Sequence, residues 1–288
     1  MTIQDPKGVL IPIGGNEDKG IDDNEMYTLE FIGEGILSHL VREAAGQEAE
    51  IIIIPTASSI PEQVIKAYVH AFSLLGCTNV FPMDIREREH SDNPEFIEHM
   101  KTANAVLFSG GDQSKITSKI GGTALHKIML ERYQNEAFVI AGTSAGAMCM
   151  STEMITGGNT TDAFRKGVVG MGTGMGFTPN LIIDSHFIQR GRFGRLTEAV
   201  AKFPDLIGIG LAEDTGLIIR NNDEFQVIGS GMVIIFDGRK LEHNNEAILK
   251  EGCAMTLTNM ITHVLSNGDR FEINTRRIKV LPIGQPFI

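Results

Sequence analysis

An α/β fold, a parallel sheet extended by antiparallel strands toward the C-terminus, is what this sequence predicts. Three observations carry that prediction. The first half alternates short apolar, β-branched runs with longer stretches of helical periodicity, the pattern of parallel strands covered by helices. After Gly176 the pattern turns strand-rich. No linker, low-complexity segment or internal repeat divides the 288 residues, so residues 1–288 are expected to form a single domain.

The strand runs of the first half are Val9–Ile13, Ile51–Pro55, Ala105–Phe108 and Phe138–Ala141, with a weaker run at Val80–Met83 between the second and third. Near-continuous apolar composition suits strands buried on both faces. From Pro61 to Leu75 the period changes, and Val64, Ile65, Tyr68, Val69, Phe72 and Leu75 fall on one helical stripe. Pro61 and Glu62 mark its start, because a missing N–H costs nothing in the first turn and an acid there meets the helix dipole. In the second half a run at Leu181–Ile183 precedes a helix expected over Arg192–Phe203. Four further runs follow, Gly208–Ala212, Gly216–Arg220, Phe225–Ile228 and Met232–Phe236. Asn221, Asn222 and Asp223, between the second and third of these, are the residue types of a hairpin turn.

The composition excludes several classes of function. With 25 Lys and Arg against 36 Asp and Glu, the formal charge of −11 argues against a nonspecific nucleic-acid binder. No apolar run approaches the roughly 20 residues that span a bilayer, so no membrane association is expected. The polar, acidic start, Met1–Lys7, lacks a basic region and cleavage pattern, which points to a cytoplasmic protein. Cys77, Cys149 and Cys253 are odd in number, widely spaced and in apolar settings, and read as reduced core thiols. No CxxC or HExxH metal signature occurs. Gly14–Lys19 follows the first strand but lacks GxGxxG spacing, and there is no P-loop, so neither metal nor cofactor is assigned.

The strongest local feature is Gly142-Thr143-Ser144-Ala145-Gly146-Ala147, between a strand run and a helix-compatible stretch. It fits a nucleophile elbow, a sharp turn that only small neighbours permit, and it equally fits a glycine-alanine turn that lets a helix pack closely. As an elbow it would set Ser144 at a helix start, with the Ala145 amide available to a developing oxyanion. A serine nucleophile needs a base and an orienting acid. Of eight histidines, His186 stands apart because it follows the run Leu181–Ile183, at the carboxyl edge where open α/β sheets collect their sites. Glu213 and Asp214 end another strand run in the same way, and either of them could be the acid. Ser109-Gly110-Gly111-Asp112-Gln113 follows Ala105–Phe108, where paired glycines can aim successive amides into a cavity. Arg190, Arg192 and Arg195 lie just beyond His186, and guanidinium groups suit carboxylate capture.

As a set, these segments resemble the cyanophycinase family of serine peptidases, which also includes aspartyl dipeptidases. The likeness runs from Gly14–Lys19 through Phe108–Gln113, Gly142–Ala147 and Asp184–Leu196 to Ile209–Thr215, and Asp-x-His-Phe followed by Arg-x-Arg-x-x-Arg-Leu is its most specific part. The resemblance implies a class I glutamine-amidotransferase-like three-layer α/β sandwich, mostly parallel, with a strand-rich C-terminal extension. It implies Ser144 as nucleophile, His186 as base and Glu213 as orienting acid, the Gly111 and Ala145 amides as oxyanion hole, and Gln113, Asp184, Arg190, Arg192 and Arg195 as substrate-binding positions. It also implies hydrolysis of β-aspartyl linkages of cyanophycin to release β-Asp-Arg dipeptides through an acyl-enzyme, and a homodimer. Ser185 stands where cyanophycinases usually carry Gln, and Gly157–Lys166 is where a specificity loop is expected. The competing expectations are a dipeptidase acting on short isoaspartyl or aspartyl peptides, a noncatalytic binding protein on the same scaffold, and an α/β-hydrolase esterase with His243 or His263 as base.

Overall fold

Strands made of isoleucine, valine and leucine must bury both faces, and their alternate side chains divide the molecule into layers. The computed structural model describes residues 5–21, 24–158 and 162–281. Strands β1 (Val9–Ile13), β2 (Ile51–Ile54), β3 (Val80–Pro82), β4 (Ala105–Phe108) and β5 (Val139–Thr143) run parallel, ordered β1-β5-β4-β2-β3. One face of this sheet presents Ile11, Ile13, Ile51, Ile53 and Leu107 to α1 (Ile36–Glu43) and α2 (Pro61–Leu74). The alternate residues, among them Leu10, Ile52, Val106 and Ile140, face α3 (Pro94–Thr102), α4 (Gln113–Ile120) and α5 (Ala124–Asn135). The short helix α6 (Ala145–Met148) packs on that same side.

The strand-rich second half is present, but it divides between sheets rather than simply extending one. The small antiparallel ribbon of β6 (Glu153–Gly158) and β7 (Val169–Thr173) comes first. Strands β8 (Leu181–Asp184) and β9 (Ile207–Leu211) then pair in parallel in a second sheet, covered by α7 (Phe193–Lys202). The chain returns to the first sheet as β10 (Thr215–Arg220), antiparallel to β1, followed by β11 (Glu224–Gly229). It crosses again to the second sheet as β12 (Met232–Asp237) and β13 (Ile261–Ser266), and ends on the first as β14 (Arg270–Glu272) and β15 (Ile278–Lys279). The β10–β11 hairpin turns through Asn221 and Asn222, both at positive φ (58° and 52°), as a type I′ turn requires. Ile183, Ile209 and Ile235 of the second sheet share a core with Leu10 and Phe108 of the first.

Cys77 and Cys149 are buried free thiols, whereas Cys253 is exposed, because its neighbours form a surface turn rather than a core strand. Among the described residues no helix is long and apolar enough to cross a membrane.

Candidate active site

The carboxyl ends of β5, β8 and β9 gather the polar residues of interest. β5 ends at Thr143, α6 begins at Ala145, and Ser144 between them holds φ 52° and ψ −110°. The turn is that sharp because nothing fills its inner side: a Cβ on Gly142 would lie 2.4 Å from the Gly146 carbonyl oxygen, and one on Gly146 would lie 2.3 Å from that of Phe108. His186 follows β8 at φ 45°, its amide bonded to the Gly14 carbonyl at 2.8 Å. Asp214, after β9, also holds φ 45°, and this turn presents the preceding Glu213 to the imidazole. Non-glycine residues held at such angles gather where function constrains the backbone.

The structure brings Ser144, His186 and Glu213 together. His186 Nε2 lies 3.0 Å from Ser144 Oγ, and its Nδ1 lies 2.6 Å from Glu213 Oε1. The second Glu213 oxygen accepts from Asn16 Nδ2 at 3.3 Å. Asp214 points elsewhere and accepts the amides of Asp18 (3.1 Å) and Ser230 (3.3 Å). Burial pushes the His186 imidazole below its usual range; the Glu213 hydrogen bond opposes this shift and the Arg190 charge adds to it. The ring is therefore neutral near pH 7, able to accept a hydroxyl proton at Nε2 while Nδ1–H stays on Glu213. His243 instead meets Thr258 Oγ1 at 2.8 Å, and His263 lies on β13 near Phe271.

A cavity of about 290 Å³ opens over Ser144, lined also by Gly110, Gly111, Lys19 and Arg190. The Gly110–Gly111 turn abuts the serine, since a Cβ on Gly110 would sit 3.3 Å from Ser144 Cβ. Ala145 is the first residue of α6, where a helix has no internal acceptor for its amide.

The five expected substrate positions separate. Arg190 lines the cavity. Asp184 is fully buried and receives Arg195 through Nε (2.6 Å) and Nη2, a two-pronged contact, and Arg192 Nη1 at 3.1 Å. Arg192 and Arg195 thus neutralise a buried carboxylate behind His186. Gln113 is also buried, and its amide donates to the Ile155 (2.8 Å) and Thr156 (3.1 Å) carbonyls, pinning β6. Ser185 is buried with its hydroxyl against Met148 Sδ at 3.2 Å. Of the Gly157–Lys166 segment, residues 159–161 lie outside those described.

Sequence reasoning missed a buried group beside the serine. Glu17 accepts hydrogen bonds from the Tyr68 hydroxyl and from Thr143 Oγ1 (2.6 Å), and pairs with Lys19 Nζ at 3.0 Å. Gly15 had no evident role either, yet a Cβ there would lie 2.4 Å from the His186 ring. The sole signal was that both belong to Gly14–Lys19, which follows a strand run as the other site segments do.

The family model for peptidase family S51 matches residues 32–228. The cyanophycinase of Trichormus variabilis is 35% identical over 277 residues, covering 96% of this chain and 89% of that protein. The cyanophycinase of Geminocystis herdmanii is 32% identical over 268 residues, covering 93% and 94%. Among solved structures, a peptidase from an acI-B1 Actinobacterium superposes with a TM-score of 0.61 at 26% identity, covering 89% of this chain and 97% of that one.

Proposed function

The chain belongs to peptidase family S51, and on that premise we propose that it is a serine exopeptidase acting on cyanophycin, releasing β-Asp-Arg dipeptides through an acyl-enzyme. The observation that carries this reading is the unbroken contact chain Ser144–His186–Glu213, at 3.0 and 2.6 Å, opening into one cavity. In this mechanism Ser144 Oγ attacks the scissile carbonyl as His186 Nε2 takes its proton, and Glu213 holds the resulting imidazolium through Nδ1. The tetrahedral oxyanion is assigned to the Gly111 and Ala145 amides, which meet it without reorganisation. His186 then protonates the leaving amine, and water, activated by the same nitrogen, releases the acyl group. Arg190 is assigned a substrate carboxylate, while Asp184, Arg192, Arg195 and Gln113 are assigned the support of the pocket from behind.

Purified cyanophycin incubated with the protein should yield β-Asp-Arg, and Ser144→Ala should lower the rate by roughly ten-thousand-fold or more. Unchanged turnover by the pure variant would remove the assignment.

A second reading, a dipeptidase for short isoaspartyl or aspartyl peptides, is favoured by one feature. With Arg192 and Arg195 committed to Asp184 and Ser185 facing Met148, Arg190 is the one arginine of the cluster that lines the cavity. Comparing cyanophycin with free β-Asp-X dipeptides as substrates separates the two. A single domain, a homodimer and cytoplasmic residence complete the proposal. Light scattering of the purified protein tests the dimer.

A further inference from the structure

Two cations line the cavity over Ser144 in a chain whose net charge is −11, and they are held differently. Arg190 stands beside His186, whose proton affinity it lowers. Lys19 belongs to the nucleophile's own side. Its ammonium meets Glu17 Oε1 at 3.0 Å and the Glu17 carbonyl at 3.1 Å, and lies over the Tyr68 ring, 5.1 Å from its centroid. Glu17 in turn accepts from Thr143, the residue before Ser144. Thr143–Glu17–Lys19 is thus a short bridge, buried at Thr143 and Glu17 and half-exposed at Lys19, that fixes a positive charge relative to the attacking hydroxyl.

Glu17 is itself no ligand site. It is 1% exposed, and its oxygens already receive Tyr68, Thr143 and Lys19. Burial pushes its carboxyl up, but Lys19 and the Thr143 and Tyr68 hydrogen bonds outweigh burial and hold it below the usual carboxylate range. It stays ionised and keeps the lysine in place. An ammonium has three N–H donors, and among the described residues the Glu17 carbonyl accepts one while the Glu17 carboxylate pairs with the charge. Donor capacity is left for something in the cavity. Lys19 also lines an adjoining, largely apolar pocket of about 380 Å³ with Val64 and Ala67, and with Tyr68 and Gly110 it stands on the border between the two spaces.

We propose that Lys19 recognises the terminal α-carboxylate of the substrate, with Glu17 as the positioning residue that aims it. The proposal rests on the exopeptidase reading above. An exopeptidase must tell the end of a chain from its middle, and at a C-terminal end the distinguishing group is a free carboxylate. A preorganised ammonium beside the nucleophile supplies that distinction, because ordering the lysine has been accomplished before the substrate arrives.

The test measures binding apart from turnover. A synthetic three-unit β-Asp-Arg oligomer, as the free acid and as its C-terminal amide, is titrated by calorimetry into Ser144→Ala protein and into the same protein carrying Lys19→Met or Lys19→Arg. In Ser144→Ala the acid should bind about ten- to a hundred-fold more tightly than the amide, the value of a charge-assisted hydrogen bond. Lys19→Met should abolish that difference without further weakening the amide, and Lys19→Arg should keep most of it. Equal affinities for acid and amide in Ser144→Ala, or equal losses for both ligands in Lys19→Met, would overturn the proposal, the latter making Lys19 structural. No binding of the acid would also overturn it. A failed exopeptidase reading appears separately, as wild-type protein that discriminates acid from amide but hydrolyses neither the oligomer nor cyanophycin.

Discussion

Ser144 and His186 each sit at positive φ, a conformation that costs a non-glycine residue about 1–3 kcal/mol and persists only when its surroundings over-determine it. What those surroundings secure is a neutral imidazole between a hydroxyl and a carboxylate, and pH reads its state directly. If His186 is the base, kcat/KM must fall as pH drops through its pKa, and burial places that limb below the ordinary imidazole value of 6.5. Glu213 raises that pKa, so Glu213→Gln should slow the reaction roughly thousand-fold or more and move the residual acid limb to still lower pH. Arg190 lowers it, so Arg190→Gln should move the limb up toward neutrality. Rate profiles of the three proteins check both signs, and a wild-type limb above 6.5 would contradict the assignment. Ser144 and His186 were legible because each follows an apolar strand run, a position readable in one dimension, whereas that position fitted Glu213 and Asp214 alike and only the family resemblance chose between them. The parts played by Arg192, Arg195 and Glu17 were not, since an arginine that binds substrate and one that neutralises a buried Asp184 carry the same spacing.

Elements were legible in proportion to how fully they are buried. β1, β2, β4 and β5 are continuous apolar runs because helices or the second sheet cover both faces. The ribbon β6–β7 is glycine-rich and mostly half-exposed, so it carries no period, and β13 alternates too weakly to stand out. Which sheet a late strand joins is settled by pairing with distant partners, and no local pattern encodes it. Helix α1 buries a histidine whose cost is measurable. His39 is 7% exposed, and its Nε2 has no partner among the described residues. Burial, with the Arg42 and Arg220 charges, lowers its pKa to about 4. The unfolded chain binds the proton near pH 6.5 and the folded chain near 4, so stability is lost as pH falls through that window, by up to about 3 kcal/mol. Urea unfolding at pH 7 and pH 4 should show the wild type losing that much more than His39→Gln. Parallel losses in the two proteins would refute it.

At the scale of the molecule, the Ser144–His186–Glu213 geometry depends on two sheets that the chain visits by turns: Ser144 follows a strand of the first, while His186 and Glu213 follow strands of the second. Shared packing keeps a 3.0 Å contact across that divide, together with hydrogen bonds from the segment after β1, where the Gly14 carbonyl accepts the His186 amide and Asn16 donates to Glu213. The packing is continuous, since Leu10, Ile54 and Phe108 belong to the same buried cluster as Leu181, Ile183 and Ile209. If that cluster behaves as one domain, the sheets cannot melt separately, and scanning calorimetry should give a single transition whose calorimetric and van't Hoff enthalpies agree. Asp184→Asn sharpens the test. The substitution lies wholly within the second sheet and strands the Arg192 and Arg195 charges, which should cost about 3–5 kcal/mol, or roughly 10 °C in Tm. In a cooperative molecule the whole transition moves down by that amount and stays single, because Leu10 and Phe108 lose their partners when Ile183 does. A variant with a low-temperature peak for the second sheet, above which the first sheet survives at its original Tm, would mean that two independently stable units merely meet at the active site.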